Sequence, residues 1–438
     1  MPAGAVPAGL IDLIGDESMS AFLFLRPACA GALAVAWWLA FAPGAAAEPL
    51  TFARALSLAE RSAPENLARQ AQVASAQQAL IPADALPDPR LILGVDNLPV
   101  EGPDRYTLNR DAMTMRRIGL MQEVPNGDKR QARRHLAEAT LSRSEAEQGA
   151  MLLVIKRQTA LAWLDVYYAE RRVELFDQLD EQIRLLRSAT KALIAGGAAQ
   201  PSELLQADQE ALRLEDRRDE QTLAVRRARA ELRRWVAGEA DQPLAGAPPQ
   251  LPVQAPGLAH RLAEHPELRA ANARVGEARA ELAEAVAEKT PDWGVELAYN
   301  NRDQQFGDML MVQLSIDLPM FVGTRQGPRI NARQHGMAQA EAEQEALLRA
   351  HQAELESALA EQQQLVKALQ RSEQELIPLS SRRAELELAG YRAGNTSLSA
   401  LIAARRELIE ANLRQIEQQR QLSQLRASLH YAYVESLQ

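Results

Sequence analysis

Cysteine and histidine, the side chains that most often bind transition metals, are few in this chain. Its only cysteine is Cys29, so neither an intrachain disulfide nor a cysteine-based metal site can form. The six histidines are scattered, and His260 and His265 are five residues apart, a spacing that does not place them on one face of a helix. They are interpreted as ordinary surface polar residues. The sequence therefore predicts no metal site.

Catalytic motifs are also missing from the sequence. It contains no phosphate-binding P-loop, no Gly-x-Ser-x-Gly nucleophile elbow, no His-Glu-x-x-His zinc motif and no Cys/His cluster. An enzyme needs a nucleophile, a base or a metal held in a defined constellation. We therefore predict that the chain is not an enzyme and carries no cofactor. A catalytic domain with helical additions is the least favoured hypothesis.

The composition is typical of long helices. Aromatic residues make up only 4% of the 438 residues, while Ala, Glu, Gln, Arg and Leu dominate. The net charge is −9, and Lys and Arg form no clustered tail, which argues against a nucleic-acid partner.

The first 47 residues resemble a secretory signal. An apolar run over 28–42 follows Arg26 and ends before the small residues Ala45–Ala47, which predicts cleavage before Glu48. A membrane anchor is the alternative, but the run is shorter than the ~20 apolar residues that a spanning helix needs. The true start could be Met19. The residues before Cys29 are a poor lipidation signal, so no lipid is expected.

Four pairs of similar segments recur in the same order, each displaced by about 200 residues, and so indicate a duplication. The pairs are 63–78 with 265–281, 86–95 with 290–299, 118–130 with 312–326, and 196–210 with 393–407. The first copy is predicted to span 48–236 and the second 258–438. The Pro- and Gly-rich stretch 237–257 is expected to be a loop that links them.

Each copy is predicted to hold two strands and one long helical hairpin. The strands fall at about 88–97, 113–124, 292–300 and 309–318, and the hairpins at 126–236 and 325–436. The third and fourth strands alternate between apolar and polar residues, as in a membrane barrel with lipid outside and water inside. A half-buried soluble sheet would alternate in the same way. Trp293 and Phe321 at strand ends suit a membrane interface or a core.

Four strands cannot close a membrane barrel, because single-chain barrels start at eight strands. Open edges in lipid would leave backbone groups unpaired. Three copies would supply twelve strands. Within the hairpins, apolar residues at 3–4 spacing predict left-handed coiled coils with one wet side.

Two features of the strands bear on the cargo. Asp317 and Glu296 are predicted to face water, where they would favour cations. Five methionines fall on the predicted strands and could contact soft metals, although adaptable packing is favoured. They are Met113, Met115, Met121, Met309 and Met311.

These features together resemble the TolC family of outer-membrane efflux channels. The stretches "LPDPRLILGVDNLPVEGPDR" and "MTMRRIGLMQEVPNGDKR" resemble the heavy-metal branch, the CzcC- and CusC-type channels. The resemblance implies a homotrimer with a twelve-stranded barrel in outer-membrane lipid and a coiled-coil tunnel in the periplasm. Its implied partners are a periplasmic membrane-fusion adaptor and an inner-membrane pump of the RND type. A drug-efflux channel of the same family, or a periplasmic adaptor with a single hairpin, is the alternative.

The resemblance also assigns roles to the hairpin tips. In the family the tips contact the adaptor, and the matching residues here are Gly197, Leu204, Leu205, Gly394, Leu401 and Ile402. The aspartate pair that closes the TolC channel corresponds to Ala400 and Ala403, so no acidic ring can form there. Glu203, which corresponds to Ala400 in the first copy, could form such a ring or simply stabilise a helix start.

Overall fold

The computed structural model describes residues 49–197, 199–252, 258 and 262–434. The predicted signal segment at 1–47, with Met19 and Cys29, lies outside these residues, as do 253–257 of the predicted linker and His260. Among the described helices, none combines the length and the apolar character that crossing a membrane requires.

The chain is mainly helical and carries one small antiparallel sheet, as the sequence predicts. The principal helices of the described ranges are α1 Phe52–Ser62, α2 Pro64–Leu80, α3 Gly127–Ala195, α4 Pro201–Val236, α5 Pro266–Ala287, α6 Gln326–Arg371, α7 Ile377–Arg392 and α8 Leu398–Leu429. The strands are β1 Leu50–Thr51, β2 Arg90–Asp96, β3 Met115–Val124, β4 Leu244–Ala245, β5 Trp293–Asn301 and β6 Met309–Ile316.

Four of these strands form one antiparallel sheet in the order β2-β3-β5-β6. Its central pair, β3 and β5, joins the first half of the chain to the second, with Ile118 opposite Tyr299 and Val124 opposite Trp293. Both ends of each strand lie within two residues of the positions predicted from the sequence. The edge strands β2 and β6 have no further partner among the described strands.

The junction between sheet and helices is fixed by hydrogen bonds between the two halves. Asn126 precedes α3, and its side chain accepts a hydrogen bond from the Lys129 amide at 2.8 Å. The Asn126 amide in turn donates to the Asp292 carboxylate at 2.9 Å, and the Lys129 ammonium also pairs with Asp292. The start of the longest helix is therefore held against the start of β5.

Helix α3 runs for 69 residues without interruption. At 1.5 Å per residue its length is about 100 Å. It returns as the 36-residue helix α4, and the two form the first hairpin. No proline occurs within α3, so its backbone hydrogen bonds continue from end to end.

The second hairpin differs from a plain helix pair. A π-helical turn at Ser372–Leu376 separates α6 from α7. Pro378 follows directly, and a proline removes one helical N–H donor and clashes with the carbonyl four residues earlier. The wider turn accommodates this clash. The second copy therefore carries a local defect that the first copy lacks.

The predicted linker is more ordered than a loop. Ala237–Asp241 forms a 3₁₀ turn, and β4 pairs in parallel with β1, Leu50 facing Leu244. Trp163 of α3, which is fully buried, donates its indole N–H to the Leu50 carbonyl at 3.1 Å. The largest core cluster surrounds this contact. It ties the beginning of the described chain and the segment between the copies to the middle of α3.

Candidate functional site

One face of the four-stranded sheet is apolar and exposed. Strand registers place its large side chains on the same side, and Leu310 and Val312 are each 70% exposed. The other members of this face are Leu91, Leu93, Val95, Ile118, Leu120, Trp293, Leu297, Tyr299, Leu314 and Ile316. Contiguous apolar surface of this extent on a folded chain marks contact with another protein or with lipid.

The opposite face is more polar and partly closed. Gly294, Glu296, Ala298 and Asn300 of β5 are buried there. Glu296 is only 7% exposed and forms an ion pair with Arg117 of β3. Glu296 thus lies on the face predicted to be water-facing, but it is buried and paired with Arg117, so the expectation that it attracts cations is wrong. Asp317, just beyond β6, is exposed as expected.

Space for the Glu296 carboxylate comes from a glycine. A Cβ atom on Gly119 would lie 2.9 Å from a Glu296 carboxylate oxygen and 3.0 Å from the Cβ of Ala298. The second strand shows weak alternation in sequence, yet Ile118 and Leu120 lie on the apolar face and Arg117 and Gly119 on the polar one.

The strand register shows on which face of the sheet each of the five predicted strand methionines lies. Four of the five lie on the polar face, at positions Met115, Met121, Met309 and Met311. Met113 lies before the start of β3 and is 61% exposed, so it is outside the sheet. Met121 is opposite Glu296, and Met311 is opposite Ala298, which gives packing neighbours to both.

The two hairpin tips share one backbone conformation. Gly197 has a φ of 72° and Gly394 a φ of 74°, which is the left-handed region that favours glycine. The Gly394 amide donates to the Tyr391 carbonyl at 3.0 Å and the Asn395 amide to the Gly390 carbonyl at 2.8 Å. This pair of bonds is the Schellman motif, which ends a helix by satisfying its last carbonyls.

The leucine pairs that follow the two tips lie in different surroundings. Leu205 is 65% exposed and Leu204 is half-buried, whereas Leu401 is fully buried and Ile402 is buried. Leu401 and Ile402 pack in a core cluster between the hairpins, with Phe176 and Ala207. Both residues are therefore inaccessible in the single chain, and their role at an adaptor contact stays a prediction.

Glu203 has two partners within the chain. Its carboxylate accepts from the Gln200 amide at 3.5 Å, as a helix-start cap, and from the Tyr391 hydroxyl at 2.8 Å. It therefore joins the tip of the first hairpin to the tip of the second. Ala403 is exposed and Ala400 is half-buried, and neither position carries an acidic group.

A buried ion pair below the tips is not foreseen by the sequence. Glu210 of α4 is 6% exposed, and Arg406 of α8 donates to its carboxylate at 2.6 Å. This hydrogen bond raises the pKa of Arg406. The two residues are 196 positions apart, so no local pattern marks them as partners.

His265 is buried, which corrects its interpretation as a surface residue. It lies against His351, whose ring centre is 4.2 Å from its own, and both are near Glu267. One ligand atom from each of these three side chains lies within 4.8 Å of the others. The structure therefore brings together three possible metal ligands that the sequence did not point to.

The second half of the chain matches the family of outer membrane efflux proteins, over residues 258–433. This match covers less than half of the chain and coincides with the second predicted repeat. No curated protein sequence matches the chain at a significant level.

Solved structures share the fold across most of the chain. A membrane protein from Pseudomonas aeruginosa superposes with a TM-score of 0.76 at 18% identity, over 87% of this chain and 93% of its own. CusC, whose structures concern folding and transmembrane channel formation, gives 0.74 at 15% identity over 87% and 91%. The outer membrane protein VceC from Vibrio cholerae gives 0.74 at 16% identity over 87% and 95%. At these identities the likeness extends to the fold.

The Arg117–Glu296 pair gives a first prediction. Arg117→Gln leaves a buried carboxylate without its cation and is expected to destabilise the protein by about 1–3 kcal/mol. The double variant Arg117→Gln/Glu296→Gln should recover most of this loss, because neither charge remains. Thermal unfolding in detergent measures both. Arg116→Gln, on the exposed neighbouring position, is the control. Equal losses in the single and double variants would contradict the pairing.

Gly394 gives a second prediction. Its backbone conformation, and not the space around it, limits which residues can replace it. A Cβ at Gly394 would meet no atom within 4 Å, but its φ is positive. Gly394→Ala should cost about 1–2 kcal/mol. Gly149→Ala, at an exposed helical glycine of α3, should instead stabilise by about 0.5–1 kcal/mol. Hydrogen exchange of the amides at 393–397 and 147–153 measures the two effects. Changes of the same sign would refute the backbone argument.

Proposed function

We propose that the chain is one protomer of an outer-membrane channel that serves as a passive duct in an efflux assembly. The observation that carries this proposal is the exposed apolar sheet face, on a sheet with two open edges, joined to two long helical hairpins. The match of residues 258–433 to outer membrane efflux proteins supports this proposal. The same match agrees with the prediction that the chain is not an enzyme. Residues 1–47 are proposed to be the export signal.

The open edges support a trimer. A four-stranded sheet whose apolar face meets lipid must pair the backbone groups of β2 and β6, because each unpaired group costs several kcal/mol in the membrane. Pairing β6 of one copy with β2 of the next forms a closed ring. Three copies give twelve strands, a number that a membrane barrel can use. Trp293 and Phe321, both exposed near the helix side of the sheet, suit the membrane interface.

The helices are proposed to form a tunnel across the periplasm. The longest helix, α3, has 69 residues and is about 100 Å long at 1.5 Å per residue, so the first hairpin extends far from the sheet. The tips would meet a membrane-fusion adaptor, which connects the channel to an inner-membrane pump of the RND type. Of the residues assigned to this contact by resemblance, Gly197, Leu205 and Gly394 remain accessible. A periplasmic adaptor is a weaker alternative, since two hairpins and paired strands are more than its single hairpin requires.

Heavy-metal cations are the proposed cargo, and drugs are the alternative. The proposal depends chiefly on the resemblance of 86–105 and 113–130 to the heavy-metal branch. The fold likeness to CusC is compatible with it, but VceC fits the fold equally well. Asp317 is one exposed acidic group at the sheet, whereas Glu296 no longer supports cation attraction because Arg117 neutralises it.

The oligomeric state tests the channel architecture. We expect native mass spectrometry of the detergent-solubilised protein to show a trimer. In a Cys29→Ser background, cysteines at Ile92 on β2 and Met311 on β6 should cross-link neighbouring copies into ladders up to three on a non-reducing gel. Cysteine pairs at neighbouring positions on β2 and β6 are tested as well, because the register between two copies decides which positions meet. A control pair of cysteines at Leu120 and Leu297, which are exposed and opposite one another within the sheet, should give no ladder. A monomer that retains its strand content would exclude the ring.

A deletion strain tests the cargo. Growth is compared on copper, silver, zinc, cobalt and cadmium salts and on a panel of antibiotics and detergents. Loss of metal tolerance alone is expected, and complementation with the intact gene should restore it. Sensitivity to drugs with unchanged metal tolerance would move the protein to the drug-efflux branch and leave the trimer result unaffected.

A further inference from the structure

A compact group of His, Glu and Tyr side chains lies where three separate segments meet. His265 precedes α5, Glu267 is in the first turn of α5, His351 is in the middle of α6, and Tyr433 is in the turn that follows α8. His265 and His351 are 5% and 6% exposed. Buried ionisable residues normally have a packing or binding reason for their position.

The contacts within the group form a chain of hydrogen bonds. The Glu267 amide donates to Nδ1 of His265 at 3.2 Å. Nε2 of His351 lies 3.1 Å from the Glu267 carboxylate, and its Nδ1 lies 3.4 Å from the Tyr433 hydroxyl. The imidazole of His351 therefore has a carboxylate at one nitrogen and a hydroxyl at the other.

We propose that His265, Glu267 and His351 bind one borderline divalent transition-metal ion, with Zn²⁺ as the representative of the class. Two imidazoles and one carboxylate are a ligand set that suits Zn²⁺, Co²⁺, Ni²⁺ and Cu²⁺. The three ligand atoms already lie within 4.8 Å of one another. Small side-chain rotations bring them to the ~3 Å separations of a tetrahedral site with metal–ligand bonds of about 2.0 Å.

Coordination replaces contacts that the chain makes without the metal. An ion between Nε2 of His351 and the Glu267 carboxylate takes the place of the shared proton. His351 then carries its proton on Nδ1 and donates it to the Tyr433 hydroxyl, whose oxygen lies 3.4 Å away. Such a partner behind a ligating histidine fixes its orientation and raises its basicity. A water completes the fourth position.

Arg157 is the cation that lines the cavity next to this group. Its positive charge opposes the binding of a metal ion at the three ligands, so removing that charge should strengthen binding.

A metal here would act as a clamp. It would connect the start of α5 to the middle of α6, next to the turn after α8 that holds Tyr433. This role is independent of the cargo and of the trimer, so it can fail or succeed separately from the proposed function.

Metal binding to the untagged, detergent-solubilised full-length protein tests the site. After chelator treatment, native mass spectrometry with added Zn²⁺ is expected to show one tightly bound ion per chain. Co²⁺ should give the intense visible bands of a four-coordinate site. Isothermal titration then gives the affinity. Absence of a bound ion at micromolar Zn²⁺, or six-coordinate Co²⁺ spectra, would overturn the proposal.

Variants show whether Zn²⁺ binds at this site or at a histidine elsewhere in the chain. Glu267→Gln and His351→Gln keep the size and some hydrogen bonding, and each should weaken Zn²⁺ binding by at least about 10-fold. His335→Ala, at an exposed position on α6, should bind as the unmodified protein does. Arg157→Gln removes the opposing charge and should strengthen binding.

Folding defects are separated from ligand loss by a difference measurement. For each variant the midpoint of thermal unfolding is compared with and without Zn²⁺. The unmodified protein should gain several degrees, since a ligand of the folded state stabilises it. The Glu267 and His351 variants should gain none, whatever their own midpoints. An undiminished gain in both variants would show that the ion binds elsewhere and refute the assignment.

Discussion

The hydrogen-bonding capacity of two strand edges constrains the whole molecule. The sheet β2-β3-β5-β6 presents large apolar side chains on one face, while both edge strands carry backbone groups without a partner among the described strands. In water the apolar face is unfavourable, and in lipid the open edges are. In the proposed assembly, closure with other copies would pair the edges and lipid would cover the apolar face.

Polar contacts connect the helical hairpins in addition to apolar ones. The cluster around Trp163 anchors the middle of α3, but towards the tips the hairpins are joined by Glu210 with Arg406 and by Glu203 with Tyr391. Pairs of this kind fix which helix faces meet, because a mismatched charge would be left unpaired. They are compatible with a helical wall that has water on one side.

The two copies follow one plan but have different surroundings. Leu205 and Ile402 occupy equivalent positions after their tip glycines, yet the first is exposed and the second is packed between the hairpins. The π-helical turn before Pro378 adds a further difference in the second copy. Similar local sequence therefore gave similar local backbone, whereas the neighbours of each side chain were set by the assembly of the two halves.

The sequence alone determined the features that depend on near neighbours. The duplication located four strands and two long hairpins, period-2 alternation supported β5 and β6, and Gly197 and Gly394 marked the tips where φ is positive. Only the tertiary structure decided which distant residues meet. It paired Glu296 with Arg117 across 179 positions, buried Leu401, and brought His351 to Glu267 across 84. The spacing of apolar residues shows which side chains share one face of a helix or strand, but the packing between elements determines what that face contacts.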